Sequence, residues 1–97
     1  MHLEIITPET KIFTGSVEAV QLPGLDGLFQ VLKGHAPIIS ALKEGEVKVN
    51  LSAPFADEEE KMSKYLRQDQ KDNKLIFIPI KGGVIEMLND KIIVLAE

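Results

Sequence analysis

The 97-residue sequence contains no cysteine and no tryptophan, and aromatic residues make up only 5% of it. The absence of cysteine excludes disulfide bonds, thiolate catalysis and zinc sites built on cysteine, and it fits a reducing compartment. No apolar run approaches the roughly 20 residues that a membrane-spanning helix requires. A net charge of −4 and few aromatic rings leave neither a basic surface nor stacking platforms for nucleic acid. We therefore expect neither an integral membrane protein nor a nucleic-acid-binding protein.

Turn-forming residues separate the short apolar segments between residues 17 and 42. Pro23-Gly24 and Asp26-Gly27 supply backbone angles that allow two chain reversals within a few positions. Further along, Gly34 and Pro37 flank a second turn. This pattern is typical of shaped loops on a rigid scaffold, so it predicts a docking surface rather than an active site.

The spacing of apolar residues predicts an all-β chain. Eight to ten short strands, with turns every few residues, indicate one antiparallel β-sandwich or flattened barrel that spans residues 1–97. The N-terminus has neither a basic region nor a long apolar stretch, so we expect no signal peptide and a bacterial cytoplasmic location. The predicted strands cover residues 2–7, 11–22, 29–32, 38–42, 46–51, 75–80, 84–88 and 91–95.

Three strands carry specific expectations. In the segment 11–22 the apolar residues change face between Ala19 and Val20, which requires either a β-bulge or partial burial of both faces; we favour the bulge. Residues 75–80 are apolar throughout, which predicts a strand covered on both faces, with Pro79 at an edge or a bulge. Asn89-Asp90 joins two apolar segments and predicts a tight hairpin.

A charged segment at residues 53–73 interrupts the strand pattern. Asp57/Lys61 and Glu60/Lys64 have the spacing of ion pairs on a helix, and acidic residues precede basic ones as the helix dipole favours. A short helix here competes closely with a disordered excursion, because an isolated helix of this length is marginal in water.

No constellation for catalysis or cofactor binding is apparent. His2 and His35 are the only histidines, they lie far apart in sequence, and a structural role is the simpler interpretation of each. The glycines form no phosphate-binding motif, and no serine lies in a nucleophile motif. The acidic run at residues 57–60 is interpreted as a solvated face, and Glu86 as an outward-facing strand residue. We expect no enzyme, no metal and no cofactor.

Several motifs together resemble the epsilon subunit of F-type ATP synthases. They cover residues 1–49 and 75–97, and the Gly-His-Ala-Pro box behind a Gly-rich turn is the most specific of them. The matching residues are Phe13-Thr14-Gly15, Val17-Glu18, Gln21, Gly24, Asp26-Gly27, Gly34-His35-Ala36-Pro37-Ile38, Ala41, Gly45, Gly82-Gly83-Val84-Ile85-Glu86 and Val94-Leu95-Ala96-Glu97.

The resemblance implies a ten-stranded β-sandwich in the rotor of the synthase, without an active site. The domain would link the gamma subunit to the c-ring and couple proton translocation to ATP synthesis. It would lie at the cytoplasmic face of the bacterial inner membrane as a peripheral subunit that meets the membrane only through the complex. The implied c-ring contacts are Leu25, Asp26, Gly27, Leu28 and Phe29, and the implied gamma contacts are Thr7, His35 and Ser40.

The sequence also departs from the pattern of this family. Epsilon subunits usually continue into a helical hairpin, whereas this sequence ends at Glu97 and is expected to form the sandwich alone. Residues 53–73 are longer and more charged than the usual turn, and Leu28, Gln30 and Lys33 differ from the residue types expected in the recognition loop. For Leu25, Leu28 and Phe29, a loop that folds onto its own core is the alternative to partner contact. The alternative function is a stand-alone β-sandwich module that binds a ligand or a protein.

Overall fold

The computed structural model describes residues 1–56 and 62–97. Within these ranges the chain forms nine β-strands and one turn of 3-10 helix, Ser63–Tyr65. The strands are β1 His2–Ile6, β2 Lys11–Gly24, β3 Gly27–Leu32, β4 Ile38–Leu42, β5 Gly45–Leu51, β6 Arg67–Gln68, β7 Leu75–Ile80, β8 Gly83–Leu88 and β9 Lys91–Ala96.

The strands form the two layers of a β-sandwich, which we call the first and second sheets. The first sheet has the order β4-β8-β9-β1 and continues into the start of β2; the second has the order β3-β2-β5-β7-β6. β2 is 14 residues long and belongs to both sheets. The predicted all-β sandwich is confirmed, with nine strands in the described chain instead of ten.

The predicted bulge in β2 is confirmed. Val17 pairs with Leu51 but Ala19 pairs with Asn50, so Glu18 is the additional residue. Past this point the inward-facing positions shift by one, and both Ala19 and Val20 are buried. The bulge therefore lets one strand keep an apolar side toward the core in both sheets.

Pairing is antiparallel throughout the described strands except between β1 and β9, which run parallel. The predicted antiparallel pairing therefore holds for every described pair but this one, and strands so far apart in sequence are not constrained by a hairpin to run antiparallel. The tight hairpin between β8 and β9 is confirmed: Asn89 and Asp90 have φ angles of 51° and 66°, as a two-residue connection of this type requires.

Strand β7 is fully buried on one face and only partly covered on the other, whereas its composition predicted a strand covered on both faces. Ile76, Ile78 and Ile80 are buried, whereas Leu75 and Phe77 are half-buried and Pro79 is exposed. Pro79 lies beyond the part of β7 that pairs with β6, as expected of a proline at an edge. On the outer face, the guanidinium of Arg67 lies 4.1 Å from the centre of the Phe77 ring and partly covers this apolar side chain.

The predicted helix in residues 53–73 falls partly outside the described residues, because residues 57–61 are not described. In the remainder, the 3-10 turn Ser63–Tyr65 is followed by strand β6. We call residues 62–68 the strap. Met62, Tyr65 and Leu66 of the strap pack against the hydrophobic core.

The core lies between the two sheets and is apolar throughout the described chain. No helix in the described ranges is long and apolar enough to cross a bilayer. The fully buried side chains include Leu3, Ile5, Phe13, Val17, Val20, Leu22, Val31, Val47, Ile76, Ile78, Ile85 and Ile92.

Candidate interaction surfaces

The turn between β2 and β3 projects two leucine side chains into solvent. Pro23 pairs with Leu28 and Gly24 with Gly27, which leaves Leu25 and Asp26 as the connection. Gly27 has a φ of 128°, which a residue with a side chain rarely adopts. Leu25 is 62% exposed and Leu28 is 66% exposed. Residues Leu25, Asp26, Gly27 and Leu28, called the tip hairpin below, therefore present an apolar surface.

Phe29 differs from the rest of the expected c-ring group because it faces the protein. It is half-buried and packs against the core. Its ring covers Gly24 so closely that a Cβ atom there would lie 2.9 Å from the ring carbons. The alternative of a loop folding onto its own core therefore applies to Phe29 and not to Leu25 or Leu28. Phe29 supports the tip hairpin from below.

The tip hairpin is fixed to the carboxyl end of strand β4. Gly24 pairs with Leu42, and the backbone N–H of Lys43 donates to the carbonyl of Pro23 at 2.9 Å. Gly45 adjoins the same proline so closely that a Cβ atom on this glycine would lie 2.8 Å from the Cβ atom of Pro23. The hairpin is thus held at its base from both sheets.

The three residues expected to contact gamma do not form one cluster. Thr7 follows β1, and its hydroxyl donates to the carbonyl of Thr10 and accepts from its N–H, both at 3.1 Å. His35 precedes β4, is exposed, and donates from Nδ1 to the Ala36 carbonyl at 2.7 Å. β1 and β4 run in the same direction through β9 and β8, so Thr7 and His35 lie at opposite ends of the first sheet. Ser40 lies between these ends, within β4, and is half-buried.

The outer face of the first sheet carries an apolar surface that the sequence analysis missed. Val84 pairs with Leu95 across β8 and β9, and Ile39 and Leu88 lie on the same face. Their exposed fractions are 75% for Ile39, 42% for Val84, 53% for Leu88 and 56% for Leu95. We call these four residues the outer apolar face. The sequence signal for this surface lies in β8 and β9, where inward-facing and outward-facing positions both carry apolar residues.

Two carboxylates lie in one row across this sheet, and their surroundings differ. Glu86 pairs with Ile39 on one side and Ile93 on the other, and Glu4 pairs with Ile93 from β1. Lys11 and Lys91 approach Glu4, each at 3.3 Å, and they hold the pKa of the Glu4 carboxyl below its ordinary value. Glu86 is exposed, as predicted, and has no ion-pair partner among the described residues.

The strap closes one side of the sandwich, whereas other edges stay open. β6 pairs with β7, and Arg67 of β6 reaches Glu46 of β5 at 3.2 Å. By contrast, β3 pairs only with β2 among the described strands, and β4 pairs with β8 along its length but with β2 only at Leu42. Exposed strand edges are binding liabilities unless a partner covers them. The open edges belong to the strands that carry the tip hairpin and Ile39.

A cleft of about 790 Å³ lies beside the strap and is lined in part by its residues Lys64, Tyr65, Leu66 and Arg67. Its walls combine acidic and basic side chains, and neither histidine lines it. The cleft therefore offers no pairing of a nucleophile with a histidine base. Its charged lining residues are Glu9, Glu46, Lys64, Arg67, Lys81 and Glu97.

Comparison with known proteins shows the family to which the chain is similar. The family description "ATP synthase, Delta/Epsilon chain, beta-sandwich domain" matches residues 1–61. The chain is 39% identical to the ATP synthase epsilon chain of Chlorobium limicola and 40% identical to that of Chlorobaculum tepidum, in each case over 98% of this chain and 86% of the relative. It is 32% identical to the epsilon chain of Desulforamulus reducens over 99% of this chain and 58% of that relative.

A solved structure shares the fold at low sequence identity. It is a chain in a cryo-EM structure of the Tetrahymena thermophila mitochondrial ATP synthase, described as central stalk and c-ring. The TM-score is 0.61 at 13% identity, and the match covers 98% of this chain and 63% of that chain. This likeness supports the sandwich fold, while the sequence relatives establish descent. The chain belongs to the family of ATP synthase delta and epsilon chains, as a β-sandwich subunit of the synthase.

Proposed function

We propose that this chain is a non-catalytic rotor subunit that links the gamma subunit to the c-ring and so couples proton translocation to ATP synthesis. The observation that carries the proposal is the presence of two separate apolar surfaces, the tip hairpin and the outer apolar face, on one rigid body. A protein that links two partners needs two such surfaces. The epsilon chains among the relatives support membership of the ATP synthase, on which this proposal builds.

The tip hairpin is the surface we assign to the c-ring. It is narrow, and its contacts are two leucines around one aspartate, with Phe29 supporting them from within. A small projecting turn of this kind fits a shallow depression between polar loops better than a flat protein surface. A stable interface usually buries about 1,200–2,000 Å² of surface in total. The tip hairpin is too small to supply this area, so stable association would require other contacts in the same assembly.

The first sheet, with the outer apolar face, is the surface we assign to gamma. His35 and Thr7 lie at the two ends of this sheet, whereas Ser40 pairs with the buried Ile85 and therefore faces away from Ile39 and the outer apolar face. Thr7 and His35 would therefore mark the length of a broad interface on this sheet, with Ser40 on the opposite side of β4. Exposed apolar patches on a small domain commonly mark such interfaces.

The interior of the domain suits a mechanical part. The sandwich core is apolar throughout the described chain, and close-packed interiors deform little under load. We propose that the chain contributes no catalytic group to the synthase and that it is a peripheral subunit at the cytoplasmic face of the bacterial inner membrane.

Affinity purification of the intact, tagged chain from its native membranes tests this proposal. The expected result is co-purification of both gamma and c subunits in detergent. The alternative, a stand-alone module for a ligand or another protein, predicts an eluate without either subunit. Recovery of gamma without c would retain the gamma assignment and reject the assignment of the tip hairpin.

A further inference from the structure

Glu86 occupies the centre of the outer apolar face. Its lateral neighbours in the sheet are Ile39 and Ile93, and two residues away along β8 on the same face lie Val84 and Leu88. A partner that covers these apolar side chains must also cover the carboxylate among them. A carboxylate removed from water without a counter-charge is strongly unfavourable.

None of the described residues neutralises Glu86. The two lysines of this face, Lys11 and Lys91, both approach Glu4 at 3.3 Å. Glu4 thus has two cations, whereas Glu86 has no ion-pair partner among the described residues. Because Lys11 and Lys91 both contact Glu4, we expect the positive charge that Glu86 needs on burial to come from the other side of the interface.

We propose that the partner seated on the outer apolar face presents a lysine or arginine side chain to Glu86, so that this carboxylate sets the orientation of the interface and selects the partner. This inference rests on the proposed function, in which gamma docks on this face. The occupant it requires is a protein surface that is apolar around a single cation. Charge complementarity at an otherwise apolar contact fixes register and excludes wrong partners.

The test is the affinity of the full chain for the purified gamma subunit of the same organism, measured by calorimetry for Glu86→Gln and Glu86→Lys. We expect Glu86→Gln to weaken binding at least about tenfold and to reduce its dependence on salt, because truncating one partner of a buried charge pair is costly. Glu86→Lys should abolish measurable binding. The matched control is Glu18→Gln, which changes an exposed carboxylate at the bulge of β2 and should leave affinity unchanged.

A second variant separates this inference from the proposed function. Ile39→Asp places a charge at the most exposed apolar position of the face, and loss of binding would show that gamma docks there. Binding that survives Ile39→Asp would reject the docking face itself. If Ile39→Asp abolishes binding but Glu86→Gln binds gamma as tightly as the unmodified chain or more tightly, the partner cation is rejected while the docking face is retained.

Lys91 is the internal rival for the role of counter-charge. It lies on the same face, opposite Leu88, and on docking it would have to leave Glu4 to reach Glu86. In a Lys91→Met background, the effect of Glu86→Gln should persist at full size. If Lys91→Met removes that effect, the cation comes from the domain and the inference is wrong.

Discussion

Replacing Leu28 by glutamate tests the assignment of the tip hairpin. The side chain is 66% exposed on strand β3, which pairs only with β2 among the described strands. Its replacement therefore opens no cavity, and a charge on such an edge is common in native sheets. We expect the free energy of unfolding to change by no more than about 0.5 kcal/mol.

The expected loss of binding follows from the same exposure. Full burial of a leucine side chain is worth about 1.5–3 kcal/mol. With two-thirds of Leu28 still in contact with water, docking on the c-ring can gain roughly 1–2 kcal/mol from it. A glutamate loses this gain and adds the cost of desolvating a charge. We expect the affinity for the c-ring to fall about thirtyfold or more, at 1.4 kcal/mol for each factor of ten.

The assay is co-purification of gamma and detergent-solubilised c-ring with the tagged variant, with circular dichroism as the check on folding. Gln30→Glu is the control, because Gln30 lies two residues farther along the same face of β3 and carries a new charge without removing an apolar contact. An unchanged yield of c-ring with an unchanged fold would refute the placement of the tip hairpin. An equal loss with Gln30→Glu would assign the effect to charge alone.

Four further substitutions test the sandwich itself. Gly83→Ala should lower the free energy of unfolding by about 3 kcal/mol or more in urea titrations, because φ is 150° and a Cβ atom would clash with the backbone carbonyl of Leu95; Gly34→Ala, with φ of 84° and open space, should cost only about 1 kcal/mol. Glu4→Gln should lower the free energy of unfolding at neutral pH and leave it unchanged in acid. The contacts with Lys91 and Lys11 lower the pKa of Glu4 in the folded state. The stability that Glu4 contributes is therefore present above the ordinary carboxyl range and disappears as the pH falls through that lowered pKa. Arg67→Ala should speed proteolysis within the strap and change the global free energy of unfolding by no more than about 1 kcal/mol. The reason is that the ion pair and the ring contact of Arg67 are exposed. A large loss of global stability would show that the strap is part of the core.

Strand positions were predictable from the sequence where one physical signal dominated. The predicted strands at residues 38–42 and 75–80 have the same bounds as Ile38–Leu42 and Leu75–Ile80. The bulge in β2 was predictable because a single change of phase in a long apolar segment has few structural solutions. The hairpin at Asn89-Asp90 was predictable because few residue types tolerate two consecutive positive φ angles.

Features that depend on contacts distant in sequence were not predictable in this way. Strand β6 has only two residues, Arg67 and Gln68, and it exists because β7 offers it a free edge. The parallel pairing of β1 with β9 joins the two ends of the chain and has no local signal. Apolar residues on both faces of β8 and β9 signal exposed apolar positions, but the outer apolar face itself arises only when β4, β8 and β9 align, which the sequence does not reveal.

A short segment of strand connects the two proposed docking surfaces, and this short connection determines how the domain would transmit torque. Ile39 of the outer apolar face and Leu42 at the base of the tip hairpin belong to the same short strand, β4. Between them the load path runs along the β4 backbone and through the Lys43 to Pro23 hydrogen bond, with no loop to absorb displacement. A flexible linker between the surfaces would let the shaft turn before the ring followed. The short, hydrogen-bonded connection in this fold is the property that a coupling subunit needs, and a simple binding module would not require it.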